Sequence, residues 1–380
     1  MRRNTFEPVH NDFRKTAASF FERECVPHNE LWMSTGVVDR QAWLTAGAAG
    51  LLGWQVPEAF GGLGVDDFRF NQVITESMCE SGSVSLGFAV HNDIVAPYLV
   101  DLATDEQKAR WMPKFVTGEH IGAIAMSEPS AGSDVANIRT TAVDKGDHWV
   151  VNGSKTFISN GILSTLILTA VKTEPSAGHR GISLLMIEEG MEGFTRGRKL
   201  DKVGHLAADT AELHFTDVKV PKENLVGESN RGFYHLMANL PSERLGIACF
   251  ALGGARRALE LTKQYASERT AFGQPIGTFQ VNRHALAEMH AKLEAAQIYV
   301  DQAVLAVNDG ELSAEEAASA KWFTTELQWE ITDRCLQMYG GYGYMNEYEI
   351  ARLWRDARVQ RMYGGTTEIM KDLVGRALGF

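Results

Sequence analysis

The sequence predicts an α+β multidomain fold: N-terminal helices over residues 1–120, a middle antiparallel β-barrel or sandwich over 121–226, and a C-terminal antiparallel helical bundle over 227–380. Three observations predict it. A chain of 380 residues is too long for one simple core. Apolar residues recur at helical spacing at both ends of the chain but alternate with polar ones in between. The punctuation shifts with the period, from helix caps to Gly, Asn and Pro turns and back.

In the first third, Thr104-Asp105-Glu106-Gln107 has the chemistry of a capping box, and Gly118 closes the helix it opens. A second helical run over 66–79 stops near Gly82, and Gly87-Phe88-Ala89-Val90 falls in an apolar helix of small residues. In the middle third, His148-Trp149-Val150-Val151, then Asn152-Gly153, then Lys155-Thr156-Phe157-Ile158 predict a hairpin with a type I′ turn. Residues 165–171, 182–187 and 211–215 are strands by their β-branched and aromatic content. After Pro221 come helices over 242–269 and 278–308, and a third from the Ser313-Ala314-Glu315-Glu316 capping box to Gly340-Gly341. Their short links imply an antiparallel bundle. Asn346 and Thr366 or Thr367 offer caps for two shorter helices.

The composition is that of an ordinary globular protein, 44% hydrophobic and 22% charged. A net charge of −11 opposes a nucleic-acid surface, which needs clustered Lys and Arg. Cys25, Cys79, Cys249 and Cys335 are scattered, which fits a reducing compartment and gives neither a disulfide framework nor a zinc ribbon. No apolar run approaches the roughly 18 residues of a membrane span. The start, Met1 to Glu7, turns acidic too early for a signal or transit peptide. We therefore expect a cytoplasmic bacterial protein or a mature mitochondrial matrix protein.

Several segments carry polar or charged groups in positions suited to a ligand. Met126-Ser127-Glu128-Pro129-Ser130-Ala131-Gly132-Ser133 is a turn rich in hydroxyls and N–H donors; by itself it also reads as a surface turn. Phe157-Ile158-Ser159 ends a strand, and Phe157 in isolation reads as a core aromatic. Arg269-Thr270-Ala271-Phe272, followed by Gln280, joins two helices; the planar fork of Arg269 suits a pyrophosphate or the dipole of the helix it ends. Gln337-Met338-Tyr339-Gly340-Gly341 lacks the G-x-G-x-x-G spacing of a dinucleotide fold and follows a helix. Glu243 stands at the head of an apolar-striped helix in Pro241-Ser242-Glu243-Arg244, where the dipole alone would favour it. Tyr363-Gly364-Gly365-Thr366-Thr367-Glu368 is a glycine loop running into the last helix, with exposed N–H groups and room for close approach.

In order and spacing these segments resemble the acyl-CoA dehydrogenase family. The likeness spans nearly the whole chain, including Val56-Pro57-Glu58-Ala59-Phe60-Gly61-Gly62, Asp209-Thr210-Ala211-Glu212-Leu213 and Arg355-Asp356-Ala357-Arg358. Most members place a catalytic Glu where this chain has Gly364. Long-chain and isovaleryl enzymes place it where this chain has Glu243. With Phe-Ile-Ser at 157–159, the chain looks most like the long-chain enzymes.

The resemblance implies FAD as cofactor and FAD-dependent α,β-dehydrogenation of a saturated acyl-CoA to trans-2-enoyl-CoA. Glu243 would take the α-proton while the β-hydride passes to flavin N5, and the N–H of Gly364 would help to hold the thioester oxygen. It implies flavin contacts at Met126, Ser127, Ser133, Phe157, Ile158, Ser159, Thr366, Thr367 and Glu368. Arg269, Phe272, Gln280 and Gln337 to Gly341 would reach the FAD of a neighbouring subunit. Acyl-CoA would touch Ser133, His179, Arg180, Tyr234, Pro241, Ser242, Arg244, Gly364 and Gly365. The expected partners are electron-transfer flavoprotein and further copies of the chain in a homotetramer, a dimer of dimers. The alternatives are the same chemistry on a branched, steroid or carrier-protein-bound acyl group, an oxidase of the same fold, or a non-catalytic flavoprotein.

Overall fold

A computed structural model describes residues 3–380. Helices fill the first third: α1 (Pro8–Phe20), α2 (Asn29–Thr35), α3 (Arg40–Ala48), α4 (Arg69–Ser81), α5 (Ala96–Leu102) and α6 (Asp105–Val116). Thr104 caps α6 with the predicted reciprocal box, accepting from the Gln107 N–H while Gln107 accepts from Thr104. The segment feeding α5 is not the apolar helix its small residues suggest. It is a π-helical stretch, Val90–Val95, and it buries three polar side chains: His91, Asn92 and Asp93.

The middle third is one sheet of eight strands: β1 (Gly122–Ala125), β2 (Thr141–Asp144), β3 (His148–Ser159), β4 (Leu166–Lys172), β5 (Ile182–Glu188), β6 (Phe194–Lys199), β7 (Thr210–Pro221) and β8 (Leu225–Val226). Their order is β6-β7-β3-β2-β4-β5-β8, antiparallel except where β1 and a single pair of β2 lie parallel to β4. All seven residues of β4 are buried, because alternate side chains enter two cores. Leu166, Leu168 and Ala170 pack toward Tyr98 and Trp111 of the helices, whereas Ile167 and Val171 pack with Trp149 and Phe215 on the other face.

The predicted hairpin at Asn152-Gly153 does not form. β3 runs straight through it, and the register against β7 slips by a bulge between Val151 and Gly153. Thr140 lies under Gly153, within 2.7 Å of where a Cβ would stand, and Asn152 exchanges hydrogen bonds with Asp217 on β7. Partners on both sides hold the segment extended, so local turn propensity loses to the ladder.

The last third opens with α7 (Gly232–Glu268), a helix of 37 residues with Pro241 inside it. A two-residue hairpin follows, β9 (Thr270–Ala271) with β10 (Gln274–Pro275), then α8 (Gln280–Asn308), α9 (Ala314–Met338), α10 (Glu349–Gln360) and α11 (Thr367–Ala377). Leu245, Leu252 and Leu259 of α7 meet Leu293 and Val300 of α8 and Leu327 and Ile331 of α9 in the bundle core. Ser313 and Glu316 form the predicted box on α9, and Thr366 caps α11 by accepting from the Ile369 N–H. Asn346 does not cap α10; Tyr348 holds that position with no side-chain bond, and Asn346 accepts from Arg355. No helix among the described residues is long and apolar enough to cross a membrane. The four cysteines are buried and unpaired.

Candidate active site

Glu243 sits in the middle of α7, not at its head, because the helix begins at Gly232, ten residues before the expected start. The dipole of a free N-terminus therefore does not account for it. The carboxyl is 6% exposed and accepts a hydrogen bond of 3.0 Å from the Tyr98 hydroxyl of α5. Burial raises its pKa to about 7, against the opposing pull of the Tyr98 bond and the Arg244 charge. Such a group is ready to take a proton near neutral pH.

The glycine loop before α11 packs on the same face of α7, one turn further on. Ile247 stands four residues after Glu243, and its Cδ1 lies 2.3 Å from where a Cβ on Gly364 would be. Gly364 and Gly365 have φ of +65° and +99°, the left-handed region that a side chain disfavours. Both carbonyls are tied down. Arg244 Nε donates to Gly364 O at 3.2 Å, and the buried Lys321 Nζ donates to Gly365 O at 2.7 Å. Burial lowers the Lys321 pKa to about 8. The N–H groups of Gly364, Gly365 and Thr366 have no acceptor among the described residues. Three successive free donors beside a buried carboxyl form a ready cradle for an oxyanion. Ser242 spends its hydroxyl on the Asn239 carbonyl. Thr367 donates to Glu326, and Glu368 is exposed.

Across the sheet, the 126–133 turn is pinned from below. Lys155 Nζ, fully buried, donates to Met126 O at 3.0 Å and to Glu128 Oε1 at 2.8 Å. Glu128 also accepts from the Arg139 and Thr140 N–H groups, and the Thr156 N–H donates to Ser127 O at 2.9 Å. Met126 and Ser127 are half-buried, while Ser133 is exposed.

Phe157 is not a core aromatic. A second bulge, between Lys155 and Ile158, sets its φ at +60° and leaves its ring 70% exposed, while Ile158 stays buried and Ser159 half-buried. A bulky residue in that region costs roughly 1–3 kcal/mol, and such strain gathers where a side chain must be aimed.

At the start of α7, the exposed His179 ring lies 6.1 Å from Tyr234, and the Arg231 guanidinium stands 4.5 Å over the same ring. Arg180 is exposed beside them in sequence. The remaining predicted flavin residues are elsewhere. Arg269, Met338, Tyr339, Gly340 and Gly341 line an open recess of about 470 Å³ at the far end of α7. Tyr265 and Tyr342 join them, the latter 5.7 Å from the Arg269 guanidinium. Phe272, at φ +52°, is 96% exposed on the β9–β10 turn, and Gln280 and Gln337 are exposed nearby in sequence.

Sequence reasoning missed Tyr98, Lys321, Lys155, Glu128 and Arg231. Tyr98 is 145 residues from the carboxyl it serves, and neither lysine belongs to a motif.

Family models match the chain in three consecutive pieces: "Acyl-CoA dehydrogenase, N-terminal domain" over residues 7–119, "middle domain" over 123–218 and "C-terminal domain" over 230–379. The chain is 43% identical to the mouse (Mus musculus) mitochondrial long-chain specific acyl-CoA dehydrogenase, covering 99% of this chain and 88% of that one. It is 38% identical to an acyl-CoA dehydrogenase of Bacillus subtilis, covering 96% of each. Among solved structures, an acyl-CoA dehydrogenase from Geobacillus kaustophilus superposes with a TM-score of 0.97 at 46% identity, covering 100% of both chains. A structure described as an electron transferring flavoprotein of Acidaminococcus fermentans superposes at 0.94 with 36% identity, again covering 100% of both chains. Matched from end to end by models, relatives and folds that agree, this chain belongs to the acyl-CoA dehydrogenase family.

Proposed function

We propose that this FAD-dependent oxidoreductase converts a saturated, long-chain acyl-CoA to the trans-2-enoyl-CoA, with Glu243 as the base that removes the α-proton. The observation that carries the assignment is the buried Glu243 carboxyl, with a pKa near 7, beside a loop whose glycine offers no competing side chain. Substrate entering the pocket displaces the remaining water and makes the carboxylate more basic at the moment it is needed. The free N–H groups of the 364–366 loop hold the thioester oxygen as negative charge develops there. Tyr98 keeps the carboxylate aimed at the α-carbon. His179, Arg180 and Tyr234 take the coenzyme A end, ahead of Glu243 along α7.

The residues fit a flavin. Phe157 presents an exposed ring at a strained bulge, beside the braced Met126-Ser127 turn and Ser159. Ser133, Thr366, Thr367 and Glu368 border the same cofactor in this reading. When bound, FAD supplies the acceptor for the β-hydride. The recess around Arg269 and Tyr339 to Gly341, with Phe272, Gln280, Gln337 and Met338, serves the FAD of a second copy in a homotetramer. We assign electron-transfer flavoprotein as the electron acceptor; the likeness to the Acidaminococcus fermentans structure supports this. We assign the protein to a bacterial cytoplasm; that a bacterial relative, from Bacillus subtilis, exists supports the bacterial part of this reading.

The test is an anaerobic titration of the FAD-loaded enzyme with saturated acyl-CoAs, following the flavin's visible absorption. Bleaching is expected to peak with long straight chains. Glu243→Gln is expected to bind FAD and ester normally yet reduce the flavin at least ~10³-fold more slowly. Unchanged reduction in that variant would sink the assignment of the base.

A further inference from the structure

The π-helical stretch before α5 carries three adjacent buried polar residues, and two are fully occupied by the fold. His91 contacts the Phe115 carbonyl with one ring nitrogen and accepts from the Gly122 N–H with the other. Asn92 accepts from the Gly53 N–H and donates to the Leu51 carbonyl. Asp93 differs. Its Oδ1 accepts from Asn71 Nδ2 at 2.7 Å, but no donor among the described residues reaches Oδ2, although the residue is only 4% exposed. Oδ2 keeps a small contact with solvent, and a carboxyl oxygen left without a protein donor at so covered a residue calls for an explanation.

Its position supplies one. Oδ2 lies against α7 at Gly246, 3.2 Å from where a Cβ would stand. Gly246 follows Glu243 by three residues, so the two share a face of the helix, roughly 4.5 Å apart along the axis. A glycine inside a helix is less favourable than alanine, and here its missing side chain is what admits the carboxyl. The order along α7 is then Tyr234 and His179 at the coenzyme end, Glu243 at the reacting carbons, and Asp93 over Gly246 beyond them. The same wall carries Tyr98, which touches the base itself. A purely hydrocarbon tail running past Asp93 would leave Oδ2 unpaired, and burial already pushes this carboxyl up to about 7.

We propose that Asp93 is a specificity-determining residue of the acyl pocket, and that its free Oδ2 accepts a hydrogen bond from a hydroxyl carried by the acyl chain a few carbons beyond the β-carbon. The inference rests on the dehydrogenase reading above and names its substrate class as hydroxylated acyl-CoAs. A neutral hydroxyl satisfies the oxygen without burying a second charge.

The test compares anaerobic flavin reduction by a plain straight-chain acyl-CoA with that by the same ester hydroxylated at successive carbons past the β position. The wild-type enzyme is expected to favour one hydroxyl position by ~10-fold or more in kcat/KM over the plain ester. Asp93→Ala is expected to abolish that preference while still reducing with the plain ester. The proposal is overturned if no position is preferred by the wild type, a comparison that needs no variant to fold, or if the preference survives in Asp93→Ala. Failure of every ester, plain or hydroxylated, to bleach the FAD-loaded enzyme would instead overturn the dehydrogenase reading beneath it.

Discussion

Glu243 draws its basicity from what covers it. Burial lifts the carboxyl toward neutrality, while the Tyr98 hydroxyl and the Arg244 charge stabilise the ionised form and hold the rise to about 7. In its proposed role as base Glu243 works when ionised, so the pH profile of flavin reduction should rise through about 7 and level off above it. Replacing Tyr98 with Phe removes a hydrogen bond that favours the charged form, so the Glu243 pKa must go up. The rising limb should move to higher pH by about one unit or more, since a bond to a charged group is worth ~1.5–3 kcal/mol. Reduction near pH 7 should fall and recover in alkali; a profile superposable on that of the wild type would show that Tyr98 merely packs. Legibility at this scale was uneven. Glu243 could be singled out only through the resemblance of its segment and the Gly364 loop to the family's two base positions, since its own neighbours read as a helix N-terminus. Tyr98 could not, since only the folded chain brings an apolar-looking helix against it.

Among the elements, the loop ahead of α11 shows how a glycine pair becomes a site. Arg244 and Lys321 take its carbonyls, Thr366 caps the helix behind it, and the N–H groups of Gly364 to Thr366 have no acceptor among the described residues. Ile247 closes the space at Gly364, so the loop and α7 are fitted to each other. Gly364→Ala should lower stability by ~1–2 kcal/mol, from the left-handed backbone as well as the clash. Ile247→Ala removes the clash but not the backbone strain, so the double variant should lose less than the sum of the two singles. Strictly additive midpoints in denaturant would show that Ile247 does not set the loop's approach. The glycines advertised this loop in the sequence, whereas the clamping Lys321 lies mid-helix in α9 with nothing to mark it. Asn152-Gly153 failed in the opposite direction. Its turn chemistry is strong, but β7 and Thr140 hold it in a bulge, and pairing partners distant in sequence are invisible to a local rule. The second bulge, which turns Phe157 outward, was hidden for the same reason.

At the scale of the whole molecule, the order of helices, sheet and bundle follows from the change of hydrophobic period and was legible, whereas the burial of β4 on both faces was not read from its residues. The relation between the two groups of proposed flavin residues was not legible either. Arg269 follows Glu243 by twenty-six residues on a nearly unbroken helix, which sets them roughly 39 Å apart along its axis. One cofactor lying against Phe157 and the 364–366 loop cannot also sit in the recess between Arg269 and Gly341 of the same chain. That recess, with Phe272 displayed at its edge on a left-handed backbone, makes sense if a neighbouring copy brings its own FAD to it. Arg269→Ala should then weaken FAD retention by ~10-fold or more, because a guanidinium–phosphate contact is lost, although the residue is far from the base of its own chain. The protein should remain folded, and FAD added in excess should restore reduction by acyl-CoA. Mixing the Arg269→Ala chain with a Glu243→Gln chain gives a sharper readout. If each FAD depends on two chains, mixed assemblies contain one composite site with both defects and one with neither. The mixture, after subunit exchange, should therefore regain activity at limiting FAD that neither variant shows alone. Absence of complementation, with exchange verified by mass, would mean that the distant recess serves something other than a partner's flavin.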